Sequence, residues 1–129
     1  MGNGRALRDN AGMARTVLVV DDHAGFRSRA RALLEVEGYE VVGEASDGES
    51  AVAAARELRP DVVLLDVQLP DIDGFEVASR ITGNGAGPAV VLTSSRDWSD
   101  SAELIARSGA RGFVPKDQLS GEAVGELLT

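Results

Sequence analysis

An α/β domain built on one parallel sheet, with helices packed on both faces, is the fold class this sequence predicts. Three observations predict it. Apolar runs of strand length alternate with segments of helix length, the pattern of repeated βα units. Two of the runs, DVVLLD (Asp61–Asp66) and PAVVLT (Pro88–Thr93), are continuous stretches of β-branched residues and leucine, as expected of strands covered on both faces. A length of 129 residues, with 43% hydrophobic and 26% charged content, suits one domain with one good core.

Taken in order, TVLVV (Thr16–Val20) is the first strand. The helix after it sets Phe26, Ala30, Leu33 and Leu34 on one buried face, with Arg27, Arg29, Arg31, Glu35 and Glu37 toward water, and Gly38 stops it. YEVVGEA (Tyr39–Ala45) alternates with Glu40 and Glu44, as a half-exposed edge strand should. In SDGESAVAAARELRP the apolar helix face is Ala51, Ala54, Ala55 and Leu58, and Pro60 ends it. The third and fourth strands are DVVLLD and PAVVLT; between them lie a short helix over Gly74–Ile81 and the glycine-rich loop TGNGAGP (Thr82–Pro88). Trp98–Arg107 is predicted as a fourth helix, Gly112–Val114 as a short fifth strand, and Ser120–Leu128 as a last helix with Ser120 as its N-cap.

Composition removes several classes of function. There is no cysteine, so disulfides and thiolate metal sites are excluded, which suits the expected cytoplasmic location. Thirteen Lys and Arg against twenty-one Asp and Glu give a formal net charge of −8, which argues against direct nucleic-acid binding. No apolar run approaches the ~20 residues of a membrane span, and the N-terminus lacks a signal-peptide pattern. Residues 1–13, opening MGNGRALRDNAG, read as a disordered N-terminal extension or tag remnant, with Met13 the expected biological start, and 14–129 as the domain.

Right-handed crossovers put every strand's C-terminal end on one edge of such a sheet, where open α/β sheets bind ligands. Strand one delivers Asp21 and Asp22 to that edge, strand three Asp66, strand four Thr93 followed by Ser94 and Ser95, and strand five Pro115 and Lys116. Strand two delivers nothing, as befits an edge. At an effective dielectric of 20, each pair of carboxylates ~4 Å apart costs about 4 kcal/mol, and Lys116 offsets only part of this. The remaining charge calls for a hard divalent cation with oxygen ligands, and Mg2+ suits such a set. A bound Mg2+ would attract phosphate, and the Asp66 carboxylate can act as a nucleophile to form an acyl phosphate.

Each element alone has a plainer reading. A single Asp after a strand more often caps a helix, Asp73-Gly74 alone is a turn, a single lysine is usually solvated, and Thr93 could simply end its strand. The Asp21-Asp22 doublet is more telling, because adjacent carboxylates repel with no local benefit. The plainer readings leave unexplained why every strand end nearest the switch point carries a reactive or charged group of complementary kind.

At this point VLVVDDHAGFRSRARALLE, VVLLDVQLPDIDGFE, VVLTSS and GARGFVPKD together resemble the receiver domain of bacterial two-component response regulators, over essentially the whole chain from Ala14 onward. The Asp-Asp-His opening and the Lys-Asp after strand five look most like the NarL/LuxR-type subclass; a stand-alone receiver is the alternative. The resemblance implies a flavodoxin-like (βα)5 doubly wound sheet of order 2-1-3-4-5. It also implies that Asp66 accepts phosphate from the phosphohistidine of a sensor histidine kinase. Asp22, Asp66 and the backbone carbonyl of Gln68 would hold Mg2+ directly, or Mn2+ in its place, while Asp21 would act mainly through water. Lys116 and the Thr93 hydroxyl would each meet a phosphoryl oxygen. Phe113 stands where the family keeps its switch aromatic and would rotate inward as Thr93 moves. Pro70 and Gly74 would shape the loop below the site, His23 would stand on its rim, and Trp98 would be either a partner contact or packing.

The chain departs from the family in places. Asp117 follows the lysine and Pro115 precedes it, where the family usually has proline after it. Phe113 lacks the hydroxyl of a tyrosine, and Gln68 and Ser95 occupy positions that tune the acyl phosphate's lifetime. The expected role is a phosphorylated signalling switch that catalyses only its own phosphorylation and dephosphorylation, changing the face formed by helix four, strand five and helix five. Its partners would be the kinase and either a downstream protein or an output domain absent from this chain, with a phosphorylation-dependent dimer as a further mode; no direct nucleic-acid or membrane contact is expected. Three rivals share some of the features. An aspartyl phosphatase wants a second Asp two residues after the first, where Gln68 stands. A nucleotide-binding α/β domain wants a glycine-rich turn where DDHAGF lies. A receiver-like docking module that is never phosphorylated would not need the full acidic set. The chain stops at Thr129 without a linker or helix-turn-helix, so it reads as a single-domain regulator or as part of a longer DNA-binding one; LLT directly after a complete apolar face favours the former.

Overall fold

Backbone pairing of the apolar runs places the site, and a computed structural model describes it for residues 14–83, 85, 87–98 and 100–129. The expectations for residues 1–13 lie outside the described residues. Strand β1 (Thr16–Val20) leads into α1 (Ala24–Val36), β2 (Glu40–Ala45) into α2 (Gly48–Leu58), and β3 (Val62–Asp66) into α3 (Gly74–Thr82). Strand β4 (Ala89–Ser94) leads into α4 (Ala102–Arg107), and β5 (Gly112–Pro115) passes through a 3-10 turn at Lys116–Gln118 into α5 (Gly121–Leu128). All pairings are parallel and the order is β2-β1-β3-β4-β5, the flavodoxin-like doubly wound sheet the sequence predicts.

Side chains alternate across the central strands, which explains why those strands are apolar throughout. Leu18, Val20, Val63, Leu65, Val90 and Leu92 pack under α2, α3 and α4. Val17, Val19, Val62, Leu64 and Val91 face the other way, under Ala30 and Leu34 of α1 and Val124 of α5. Each fully buried Val or Leu contributes roughly 1.5–3 kcal/mol, so this two-faced core fixes the register that aligns the strand ends.

Local chemistry sets the helix ends. Asp47, Asp73 and Ser120 cap α2, α3 and α5, accepting hydrogen bonds from the amides of Ser50, Glu76 and Ala123. Gly38, at φ 97°, takes the left-handed conformation that stops α1. Asp71, in the loop after β3, also accepts from the Gly48 and Glu49 amides at 2.7 and 2.9 Å, tying that loop to the start of α2. The Gly48 amide, then that of Glu49, hold its carboxyl down at about 2.

Three details differ from the sequence expectation. Helix α4 begins at Ala102 rather than Trp98: ahead of it the backbone is turned, the Ser101 amide closing onto the Trp98 carbonyl at 2.9 Å. Leu58, placed on a buried face by periodicity, is 40% exposed, since it lies over Gly43 on the edge strand with nothing beyond to cover it. Arg27 does not point freely to water: its guanidinium donates to Glu44 at 2.9 Å and to the Asp21 carbonyl at 2.6 Å.

Candidate functional site

Asp66 is the last residue of β3 and lies beside β1 and β4 at the centre of the sheet, only 3% exposed. Its backbone is crowded from below: a Cβ on Gly74 would collide with the Asp66 carbonyl, so glycine is required where α3 begins. Asp21, the residue after β1, is completely buried; its amide donates to the Ala45 carbonyl at 3.0 Å. Asp22 is more open, its side chain 36% exposed. His23 donates its amide to Asp21 Oδ1 at 2.8 Å and sets its Nδ1 3.0 Å from Asp22 Oδ1, on the rim as expected.

Lys116 closes the site from β5. Its Nζ lies 2.6 Å from Asp21 Oδ2 and 3.4 Å from Asp66 Oδ2. The first contact is ionic: Asp21 Oδ2 is buried and accepts no well-aligned hydrogen bond even with the ammonium this close. The same ammonium sits 4.5 Å above the Phe26 ring of α1, which supports its charge through the face of the ring. Sequence periodicity assigns Phe26 only to the core face of its helix, and no spacing signals this second contact.

Electrostatics follow from the burial. Desolvation pushes the Asp66 carboxyl up to about 6; the Gln68 amide, donating at 3.1 Å, pulls it down, the charge of Asp21 pushes it up, and Lys116 pulls it down. Burial weakens the Lys116 ammonium, yet its contacts with Asp21 and Asp66 outweigh that and leave it held above its ordinary value. The site thus carries more negative charge than its one ammonium balances.

Asp21, Asp22, His23 and Asp66 each offer one ligand atom, all within 4.8 Å of one another. Three of the four donors are carboxylate oxygens and Asp22 is open to water, a set that fits a hard cation which keeps part of its hydration. Thr93 is level with Asp66 in the β3–β4 ladder and fully buried, but its hydroxyl donates to the Val114 carbonyl of β5 at 2.6 Å. Its side chain is therefore engaged with the neighbouring strand rather than free at the strand end, a direction the sequence pattern does not convey. Phe113 is half-buried against the core, beside a cavity of about 420 Å3 also lined by Ser95 and Asp117. Trp98 stacks edge-on to Phe75 at 5.3 Å and packs against the same core, which favours the packing role over a partner contact.

A central aspartate on a doubly wound parallel sheet, flanked by two further aspartates and a lysine, is the arrangement that the resemblance to a receiver domain implies. A family model described as the response regulator receiver domain matches residues 17–126, and the chain belongs to that family. It is 38% identical over 112 residues to the virulence factors putative positive transcription regulator BvgA of Bordetella pertussis, covering 87% of this chain and 54% of that protein. The chain thus spans about half the length of the curated relatives it matches. Among solved structures, the receiver domain of the putative response regulator NarL from Mycobacterium tuberculosis superposes with a TM-score of 0.80 at 35% identity, covering 90% of this chain and 94% of that one. A chain of the CheX-CheY-BeF3-Mg+2 complex from Borrelia burgdorferi gives 0.84 at 25% identity, covering 98% and 95%. The NarL/LuxR-type resemblance read from the sequence is thus matched among the structural neighbours. Among the described residues no helix is long and apolar enough to cross a membrane.

Proposed function

We propose that Asp66 accepts a phosphoryl group from the phosphohistidine of a sensor histidine kinase and that the domain switches its α4–β5–α5 face in response. One observation carries this reading: the Asp66 carboxylate, at the end of a central strand, shares one cluster with Asp21 and Asp22, and Lys116 reaches it at 3.4 Å. An Asp66 oxygen forms the new P–O bond while the P–N bond of the donor breaks, its electron pair staying on the imidazole. Lys116 holds a phosphoryl oxygen as the charge shifts. Asp22, Asp66 and the Gln68 carbonyl would hold Mg2+, or Mn2+ in its place. Asp21, whose oxygens already meet the His23 amide and Lys116, would contribute through water. The ion, when bound, neutralises charge on the incoming phosphate. A similar chain was solved in a complex that includes Mg2+.

For the Thr93 hydroxyl to reach a phosphoryl oxygen it must leave the Val114 carbonyl. That step loosens β5, and Phe113, with a cavity beside it, turns inward. The altered face then meets a downstream protein, an output domain of a longer chain, or a second phosphorylated copy. A cytoplasmic location fits a kinase partner of this kind, and the role is that of a switch acting only on its own phosphate. The test is intact-protein mass after incubation with acetyl phosphate and Mg2+. One phosphate mass is expected on the native chain and none on Asp66→Asn; equal labelling of both, or of neither, rejects the reading.

A further inference from the structure

The opposite end of the sheet carries a site of opposite charge. The N-terminal ends of β3 and β4 and the segment before β1 open onto a cavity of about 1070 Å3, which also meets α2, α3 and the end of α5. Arg15, Arg56, Arg59, Arg80 and Arg111 line it, five of the thirteen Lys and Arg residues in a chain of net charge −8. One carboxylate, Asp61, shares the lining, and it already accepts from the Thr16 amide and hydroxyl at 2.9 and 3.2 Å. Arg80 is paired with Glu76 and Glu49. Among the described residues, Arg15, Arg56, Arg59 and Arg111 form no ion pair.

Favourable interaction with helix C-termini accounts for two of the five, since Arg56 and Arg80 lie in the last turns of α2 and α3. It reaches Arg59 too, the C-cap of α2, but not Arg15 or Arg111, which lie outside helices. Arg59 adopts φ 46°, a left-handed position that usually goes to glycine or asparagine. Between these side chains the floor is apolar, with Ile81 half-exposed and Val52, Ala55 and Pro60 buried beneath it. Guanidinium forks match phosphate oxygens two at a time, an apolar floor accepts a ring, and a concavity of this size encloses a compact organic ligand.

We propose that this cavity binds a nucleoside di- or triphosphate, with its phosphates on the arginines and its ring on the apolar floor, independently of phosphorylation at Asp66. The experiment is titration of ATP into isotope-labelled full chain, in EDTA so that no metal bridges ATP to the acidic end, read by amide chemical shifts. Saturable shifts are expected at Ala55, Arg59, Gly87 and Arg111, with none at Asp22, Asp66 or Lys116. Arg56→Gln with Arg111→Gln should weaken binding about tenfold or more, as loss of charge-assisted hydrogen bonds implies, and Asp66→Asn should bind as the native chain does. Arg15→Gln, at a third position, should weaken it in the same direction, with unchanged melting of the free proteins as the folding control. The proposal fails if millimolar ATP shifts no amide of the cavity. It also fails if tripolyphosphate binds as tightly as ATP, since the ring would then be irrelevant, or if poly-glutamate binds more tightly, which would point to an acidic protein partner.

Discussion

The two ends of this sheet hold charge in different ways. At the C-terminal end the acidic groups sit on or directly after the strands, and Asp21 and Asp66 are 0% and 3% exposed. At the N-terminal end the arginines come from helix ends and connecting loops, and Arg56, Arg59, Arg80 and Arg111 stay exposed to water. Burial makes the first set costly and mutually dependent, so removing any member or neutralising its charge changes the energy of the whole fold. Solvation leaves the second set cheap and independent. The phosphorylation switch proposed for Asp66 would use the former, because a small chemical event has leverage where charge is already held against its preference.

Removing the ammonium that meets both buried carboxylates should have the largest effect on stability. Lys116→Ala leaves the Asp21 carboxylate buried without its 2.6 Å partner and Asp66 without its 3.4 Å one. Loss of one member of a buried ion pair costs about 3–5 kcal/mol, measurable by urea denaturation in EDTA, and Mg2+ should recover more stability in this variant than in the native chain. If Lys116→Ala proves as stable as the native protein, the contrast between the two ends collapses.

Asp66→Asn should act in the opposite direction. The native Asp66 carboxyl titrates at about 6 against an ordinary value of 3.8, so the folded chain binds its proton more tightly than the unfolded chain does. Stability is therefore lost as pH rises from about 4 to about 6, and the full penalty, at most about 3 kcal/mol, applies above that range. In EDTA at neutral pH the asparagine variant should be more stable by about 1–3 kcal/mol, and its advantage should disappear below about pH 4. An advantage that persists into acid would mean that Asp66 is not strained by its charge.

Thr93→Val probes the joint between the acidic end and β5. The swap keeps the shape of the side chain but leaves the buried Val114 carbonyl without its 2.6 Å donor, which should cost about 1–2 kcal/mol in thermal unfolding. Phosphate labelling should persist, while any phosphate-dependent change at Phe113, followed by its aromatic resonances, should shrink.

The sequence conveyed the acidic end far better than the basic one, for a physical reason. Strand ends are legible because a run buried on both faces must be apolar throughout, so the first charged residue after it marks both the boundary and the edge of the sheet. Asp21, Asp22, Asp66 and Lys116 were readable that way, and so was the strand order once the residues resembled a receiver. The direction of the Thr93 hydroxyl was not, since it depends on a rotamer and on which neighbour lies across the ladder. Nor was the grip of Asp71 on α2, whose partners are 22 and 23 residues away with no periodic relation to it. The sequence starts helix α4 at Trp98, whereas the Trp98 ring packs edge-on to Phe75 ahead of the helix, which begins at Ala102. The arginine cavity leaves no spacing signature at all. Its members come from loops and helix ends scattered from Arg15 to Arg111, and a net charge of −8 conceals them.

The smallest expected effect falls at the basic end. Arg56 and Arg111 are exposed and make no ion pair among the described residues, so losing both guanidinium groups in Arg56→Gln with Arg111→Gln removes only the weak attraction of Arg56 to the C-terminus of α2. Substitutions of this kind stay within about 0.5 kcal/mol, and denaturant midpoints should barely move in low salt. Lowering the salt further decides what the groups do. If the arginines offset the field of the acidic chain, the double variant should lose stability as screening weakens; if they are solvated and idle in the free protein, the two midpoints should stay together. The second outcome is expected, because the buried carboxylates lie at the far edge of the sheet and their nearest cation is Lys116. Among the described residues, four arginines that form no ion pair thus line one cavity, where the proposed ligand would meet them.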